Sequence, residues 1–400
     1  MTAPEQNKTT IAPKPQQARV AIVSMCSDDW GGSEELWARS LPFLRQSGIG
    51  ASLSKVGINP HHPRIAALAQ AGVQLQPLGD TPANAPLSRR LQKKLRERLF
   101  RRPPGYWEHI NFGKHLQLFR PQLVIIAQGI NFDGLDYAAV CSAHNIPYVV
   151  VCQKAVEFFW PPAHLRQSMR QAFQRAKKCY FVSQHNLQLT EEQFGFRFSN
   201  ACVIHNPVRL VPKALPFPIA SETIRLACIG RLFIIDKGQD ILLRILAQPK
   251  WRSRPVVVSF IGTGHDEAGI KELAALLQLT NVVFEGQVEG MEAVWQQHHA
   301  LVLPSRCEGM PLVVLEALAA GRPVIASKAG GTPEYITEGV NGFLAEANVE
   351  DFEAAMERAW QQRHRWAEMG TTAVAMIQDQ ITGSPEEVFA NEITELIYEN

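Results

Sequence analysis

Ten short apolar runs rich in β-branched residues, none alternating apolar with polar, constrain this chain more than any other feature. They lie at 19–24, 123–127, 148–152, 178–183, 201–204, 224–229, 256–261, 282–284, 300–303 and 323–326. A strand wetted on one face shows a period of two, whereas a strand covered on both faces reads as an unbroken apolar run. Helical patterns fill the gaps, for example at 34–47, 270–279, 311–320 and 351–369. Strand and helix in alternation predict an α/β fold built on parallel, doubly wound sheets.

At 400 residues the chain is too long for one ordinary domain, since domains run to roughly 100–200 residues. The segment 206–218 carries four prolines in 13 residues and can continue neither a helix nor a central strand. We therefore expect a flexible tail over 1–18, an N-terminal Rossmann-like domain over 19–205 and a Pro-rich hinge over 206–221. A second Rossmann-like domain follows over 222–384, with a helix at 385–400 able to pack back on the first. Doubly wound sheets open their ligand crevices at the carboxyl ends of their strands, so two of them face each other across one cleft.

Composition removes several classes of function. Forty basic residues against 38 acidic ones leave +2, which argues against a dedicated nucleic-acid binder. No window approaches 18 uncharged apolar residues, and the first 18 lack the apolar core of a signal peptide. Seven scattered cysteines, with no CxxC, fit a reducing cytoplasm.

The chemistry concentrates in the second half. Glu308 and Glu316 stand eight apart in the run Pro304-Ser-Arg-Cys-Glu-Gly-Met-Pro-Leu-Val-Val-Leu-Glu316. The first falls in a strand-to-helix turn and the second about one and a half turns into the helix, so they can hold opposite ends of a polyhydroxylated ligand. The amides of Gly309, Met310 and Leu312 open that helix, and a helix N-terminus receives phosphate well. Arg231 and Lys237, in a loop just past the strand at 224–229, suit a diphosphate. Two basic loop residues taken alone are usually solvated. Gly31 and Gly32, between the first strand and helix, allow close backbone approach to a ligand, although a tight turn explains them equally well.

These motifs together resemble the GT-B glycosyltransferases of the GT4 (retaining, group 1) family. The resemblance rests on Glu-x7-Glu, on Gly230-Arg231 with Lys237-Gly238 upstream, and on Gly31-Gly32 near the start. It rests also on Gly262-Thr-Gly264, Phe284-Glu-Gly286, Ala329-Gly-Gly-Thr-Pro-Glu334, Gly339 and Asn341-Gly-Phe-Leu344, being dense over 224–345 and sparse over 19–205. It implies two Rossmann-like domains, retention of anomeric configuration and no metal ion or other cofactor. Arg231 and Lys237 would take the nucleotide diphosphate, Glu308 the donor sugar's hydroxyls and Glu316 the ribose. The amides of Gly309, Met310, Leu312 and the Gly31-Gly32 loop would line the diphosphate and sugar.

One departure concerns the acceptor side. Many family members carry a histidine near the transferred sugar, where this chain has Ala127 or Gln128. Gln128, and Gln153 after the next strand, can exchange hydrogen bonds with sugar hydroxyls or simply cap strand ends. The stretch 87–102 holds eight basic residues and one acid around Leu87, Leu91, Leu95 and Leu99. Such a helix suits an anionic membrane surface at the inner face, an anionic acceptor or plain solvent exposure. Phe158-Phe-Trp-Pro-Pro162 can shape an acceptor site but fits core packing better.

The expected function is transfer of a hexose-type sugar from a nucleotide-diphosphate sugar to a hydroxyl acceptor, the acceptor being a glycan, a lipid or a small molecule. A sugar-nucleotide epimerase of the same architecture and an inactive sugar-nucleotide- or membrane-binding protein are the alternatives. A nucleotide-dependent oxidoreductase, suggested by Gly262-Thr-Gly264, fails because Glu267 stands where GxGxxG needs its third glycine.

Overall fold

The structure, a computed structural model, describes residues 17–79, 105–208, 212–218, 223–380 and 383–399. The basic stretch 87–102 lies outside the described residues. Seven parallel strands form the first sheet: β1 (Arg19–Ser24), β2 (Gly50–Lys55), β3 (Gln74–Pro77), β4 (Leu123–Ala127), β5 (Tyr148–Cys152), β6 (Cys179–Phe181) and β7 (Ala201–Val203). Their spatial order is β3-β2-β1-β4-β5-β6-β7. Six more form the second sheet: β8 (Ile224–Ile229), β9 (Val256–Ile261), β10 (Val282–Gly286), β11 (Ala300–Leu303), β12 (Val324–Ser327) and β13 (Gly342–Ala345). Their order is β10-β9-β8-β11-β12-β13, again parallel.

Both sheets are covered on both faces, which is why the central strands lack alternation. In β4, Val124 and Ile126 enter one apolar layer while Leu123, Ile125 and Ala127 enter the opposite one. In β11, Ala300 and Val302 face one layer and Leu301 and Leu303 the other. Three strands escape the sequence reading: β2, β3 and β13. The helix expected over 351–369 is two helices, Val349–Gln361 and Trp366–Gln380, joined by a short 3₁₀ turn.

The last helix, Pro385–Tyr398, leaves the second sheet and joins the first. Phe389, Ala390, Ile393 and Ile397 are buried in the apolar cluster that also holds residues of β1, β4 and β5, the helix packing mainly on the helix Glu35–Gln46. Each of the larger ones contributes about 1.5–3 kcal/mol of apolar burial. Lys178 holds Glu392 at 2.7 Å and Arg39 holds Glu386 at 3.2 Å. All seven cysteines are free thiols. Among the described residues no helix is long and apolar enough to cross a membrane.

Candidate active site

In each sheet the strand order reverses direction once, between β1 and β4 and between β8 and β11. Loops leaving the carboxyl ends of these strands diverge there and leave a crevice. The two crevices meet where Arg231 reaches Asp28, and Gly31, Gly32, Gln128, Gln153, Arg231, Lys237, Glu308 and Gly309 stand on segments that follow strands of the two sheets.

In the second half, a short helical turn, Ile234–Lys237, follows β8 and ends at Gly238. There φ is +62°, and a Cβ would stand 2.1 Å from the Pro304 carbonyl oxygen, so only glycine lets this loop lie against the one after β11. That approach brings Lys237 Nζ to 2.6 Å from Glu308 Oε1, which also accepts a hydrogen bond from Ser305 Oγ at 2.7 Å. Glu308 is buried. Its loop is held from below: the Arg306 and Cys307 amides donate to the Asp236 carbonyl, at 2.7 and 3.0 Å. The Arg306 guanidinium forks onto Asp240 at 2.7 and 3.0 Å. Burial pushes the Asp240 carboxyl up, but this fork outweighs it and holds the group below its ordinary value.

Arg231 reaches across the cleft. Its guanidinium donates to Asp28 Oδ2 at 2.6 Å and to Asp236 Oδ2 at 3.4 Å. Lys154, just past β5, donates to Asp236 Oδ2 at 2.8 Å. Two cations and two carboxylates, two residues from each half, thus form one cross-cleft network.

Gly309 sits at a close approach of the halves, where a Cβ would stand 1.7 Å from the Gln153 carbonyl oxygen. Its own carbonyl accepts from the Gly331 amide at 2.7 Å. Met310 is buried in an apolar cluster that also contains Val182 of the first half. Leu312 opens the helix Leu312–Ala319, and its Cδ1 lies 3.7 Å from the position a Gly32 Cβ would take. Glu316 is buried on the second turn of that helix. Glu334, from the Gly-Gly-Thr-Pro-Glu run, accepts from the amides of His185 at 3.0 Å and Gln184 at 3.3 Å. A carboxylate from one half therefore caps a helix of the other, where the helix dipole favours it.

The Gly31-Gly32 loop stands on a buried ion pair that the sequence reading missed. Glu34 Oε1 accepts from Lys55 Nζ at 3.0 Å and from Ser24 Oγ at 2.9 Å, and Oε2 accepts from the Gly31 amide at 3.3 Å. Lys55 Nζ also donates to the Asp29 carbonyl at 3.1 Å. Burial raises the Glu34 carboxyl above its usual value despite the Lys55 ammonium. Lys55 is on β2, itself unrecognised from sequence.

The two glutamines are engaged locally. Gln128 Nε2 donates to the Asp133 carbonyl at 2.8 Å. Gln153 exchanges amide hydrogen bonds with Asn206 at 2.8 and 3.3 Å. The aromatic run does not pack into the core: Phe158 is 61% exposed, Phe159 43% and Trp160 60%. Among the described residues no group of three or more His, Cys, Asp or Glu could hold a metal ion.

Comparison with known proteins agrees with this architecture. Residues 64–211 match a model described as Glycosyltransferase Family 4, and residues 223–362 one described as Glycosyl transferases group 1. An uncharacterized glycosyltransferase of Haemophilus influenzae is 33% identical over 163 residues, 39% of this chain and 44% of the relative. A D-inositol 3-phosphate glycosyltransferase of Streptomyces griseus is 36% identical over 155 residues, 36% of this chain and 33% of the relative. The matches thus span less than half of either relative's length. Anabaena HepE in complex with UDP superposes with a TM-score of 0.67 at 18% identity, covering 96% of this chain and 100% of that one. The shared fold is GT-B.

Proposed function

We infer that this chain, which belongs to the group 1 glycosyltransferases of family 4, transfers a hexose-type sugar from a nucleotide-diphosphate donor to a hydroxyl acceptor. We place the reaction as retaining and metal-independent. The observation that carries this reading is the Lys237–Glu308 pair, 2.6 Å apart, at the crevice of the second sheet and beside a helix N-terminus. It sets a cation for phosphate and a carboxylate for hydroxyls within one ligand's length. The UDP bound by HepE is consistent with a nucleoside diphosphate there.

In this reading the donor diphosphate lies against Arg231, Lys237 and the first amides of the helix at 312–319. Their positive charge stabilises the leaving group as the bond from the anomeric carbon to phosphate oxygen breaks. The acceptor oxygen forms its bond to that carbon on the same face, and its proton passes to the departing phosphate oxygen. Glu308 orients the sugar through its hydroxyls and is not a nucleophile. Glu316 binds the ribose, and the Gly31-Gly32 loop closes on the sugar and diphosphate. Gln128 and Gln153 border the sugar and acceptor side. Closure of the halves excludes water and limits donor hydrolysis.

Thermal shift against UDP, GDP and ADP identifies the base, because a ligand that binds only the folded state raises its stability. Turnover of the matching nucleotide sugars with added EDTA then tests metal independence, and NMR of the product reads the anomeric configuration. Glu308→Gln is expected to weaken sugar turnover with nucleotide affinity retained, and Glu316→Gln to weaken the nucleotide itself. Stabilisation by none of the three nucleotides would sink the proposal, and isomerised sugar without acceptor would reassign it to an epimerase.

A further inference from the structure

Beside the cleft, the segment after β5 carries a feature that donor chemistry does not use. Phe158, Phe159 and Trp160 stay exposed, and Leu165 is 40% exposed five residues on. Neighbouring exposed aromatic side chains, unlike apolar residues scattered singly, mark a site of interaction.

The exposure is built in, because the backbone beneath is pinned. Gln193 is fully buried, and its Nε2 donates to the carbonyls of Val156 and Phe159, both at 2.8 Å. The Val156 amide donates to Asn131 Oδ1 at 2.5 Å, and Asn131 Nδ2 donates to Gln193 Oε1 at 3.0 Å. The Phe158 and Phe159 rings meet edge to face, 4.9 Å between centroids. A buried amide network thus holds the loop while its rings point outward.

The charge around the ridge selects its partner. From Phe158 to Lys178 there is no acidic residue, while Arg166, Arg170, Arg175 and Lys177 are basic beside Lys178, which is taken by Glu392. Of the acids next to the segment, Glu191 is paired with Arg197 and Glu392 with Lys178 at 2.7 Å, while Glu157 stands 3.4 Å from the His185 ring. Arg170 lies 3.9 Å over the Phe196 ring. Exposed Trp and Phe flanked by cations match the interfacial zone of a bilayer, where aromatic rings sit at headgroup level and cations meet anionic lipid.

We propose that the ridge 158–165, with the basic helix Arg166–Arg175 behind it, docks on an anionic lipid surface and presents the cleft to an acceptor hydroxyl carried by a lipid. The acceptor part rests on the glycosyltransferase reading above; the docking part does not. Phe158 follows Lys154 by four residues, and Lys154 is bound to Asp236 at the cleft. Four residues span at most about 14 Å, so a bilayer at the ridge lies within reach of a lipid-borne hydroxyl.

The test uses the full chain and vesicles of phosphatidylglycerol with phosphatidylcholine, against pure phosphatidylcholine. Wild type is expected to co-sediment with the anionic vesicles at low salt and to show tryptophan quenching by brominated acyl chains, with the quenching reduced in Trp160→Phe. The variant Phe158→Ser/Trp160→Ser/Leu165→Ser is expected to lose at least about tenfold in vesicle partitioning. Its thermal midpoint and its nucleotide-induced shift should stay those of wild type, since all three side chains are exposed. A control with Arg89, Arg90, Lys93 and Lys94 changed to Gln isolates any part played by 87–102.

No binding of wild type to anionic vesicles overturns docking, as does partitioning of the triple variant equal to wild type. Loss of transfer to a water-soluble acceptor in the triple variant, with vesicle binding intact, makes the ridge an acceptor subsite and overturns docking too. Vesicle binding without any nucleotide-induced shift leaves docking standing and refutes the glycosyltransferase reading alone.

Discussion

Replacing Lys237 by Met separates what this residue does for stability from the diphosphate role proposed for it. Its ammonium lies 2.6 Å from Glu308 Oε1, with the two side chains 17% and 8% exposed. At an effective dielectric near 20, unit charges at that distance attract by about 6 kcal/mol. Desolvation of both ions takes back most of it, so the pair itself contributes little net stability. Removing one partner is different: it leaves the Glu308 carboxylate buried with the Ser305 hydroxyl still donating to it at 2.7 Å. That strands a charge at a cost of about 3 kcal/mol. In a half of this size the loss corresponds to about 6–12 °C in melting temperature. Adding Glu308→Gln removes the stranded charge, and the double variant should recover about two-thirds of the loss. Calorimetry on wild type, both single variants and the double variant closes the cycle. Turnover should stay low in the double variant even as stability returns, because the cation proposed for the diphosphate is still gone. Equal melting temperatures for Lys237→Met and the double variant would show that Glu308 is not stranded and would refute the argument.

Further outcomes follow from the same geometry. Gly309→Ala places a methyl 1.7 Å from the Gln153 carbonyl oxygen, so the halves must part; small-angle scattering should show a larger radius of gyration, and an unchanged radius with full turnover would contradict this close approach. Asp28→Asn frees Arg231 from an exposed pair worth about 0.5 kcal/mol, so nucleoside diphosphate should bind about twofold more tightly by calorimetric titration, and weaker binding would count against Arg231 as its receptor. Asp133 accepts from the amides of Gly129 and Ile130, but burial pushes its carboxyl up to about 7. With the folded value above the unfolded one, its contribution to stability is full at low pH and is lost as pH rises to about 7. Asp133→Asn should therefore flatten the fall in melting temperature between about pH 4 and 7, and parallel curves for the two proteins would remove this account.

The sequence by itself determined the class of fold and the chemical vocabulary of the second half. Runs such as 123–127 and 300–303 are apolar at every position because parallel strands are covered on both faces, and that is visible in any window of five residues. Strands β2 and β3 were not legible: Gly-Ala-Ser-Leu-Ser-Lys and Gln-Leu-Gln-Pro are short and polar, and β3 closes the edge of its sheet. At a sheet edge one side of the strand is unpaired, so the apolar requirement that betrays a central strand is relaxed. Glu308, Glu316, Arg231 and Lys237 could be chosen because they fall in motifs that resemble a known family and follow recognisable strands. Only tertiary structure could place Lys55 under Glu34, bring Asp28 to Arg231, or seat Gly309 on the Gln153 carbonyl. Those contacts join positions 21, 203 and 156 residues apart. Local periodicity records which face of an element is buried, whereas the partner across the cleft is set by how two separately wound sheets come to face each other.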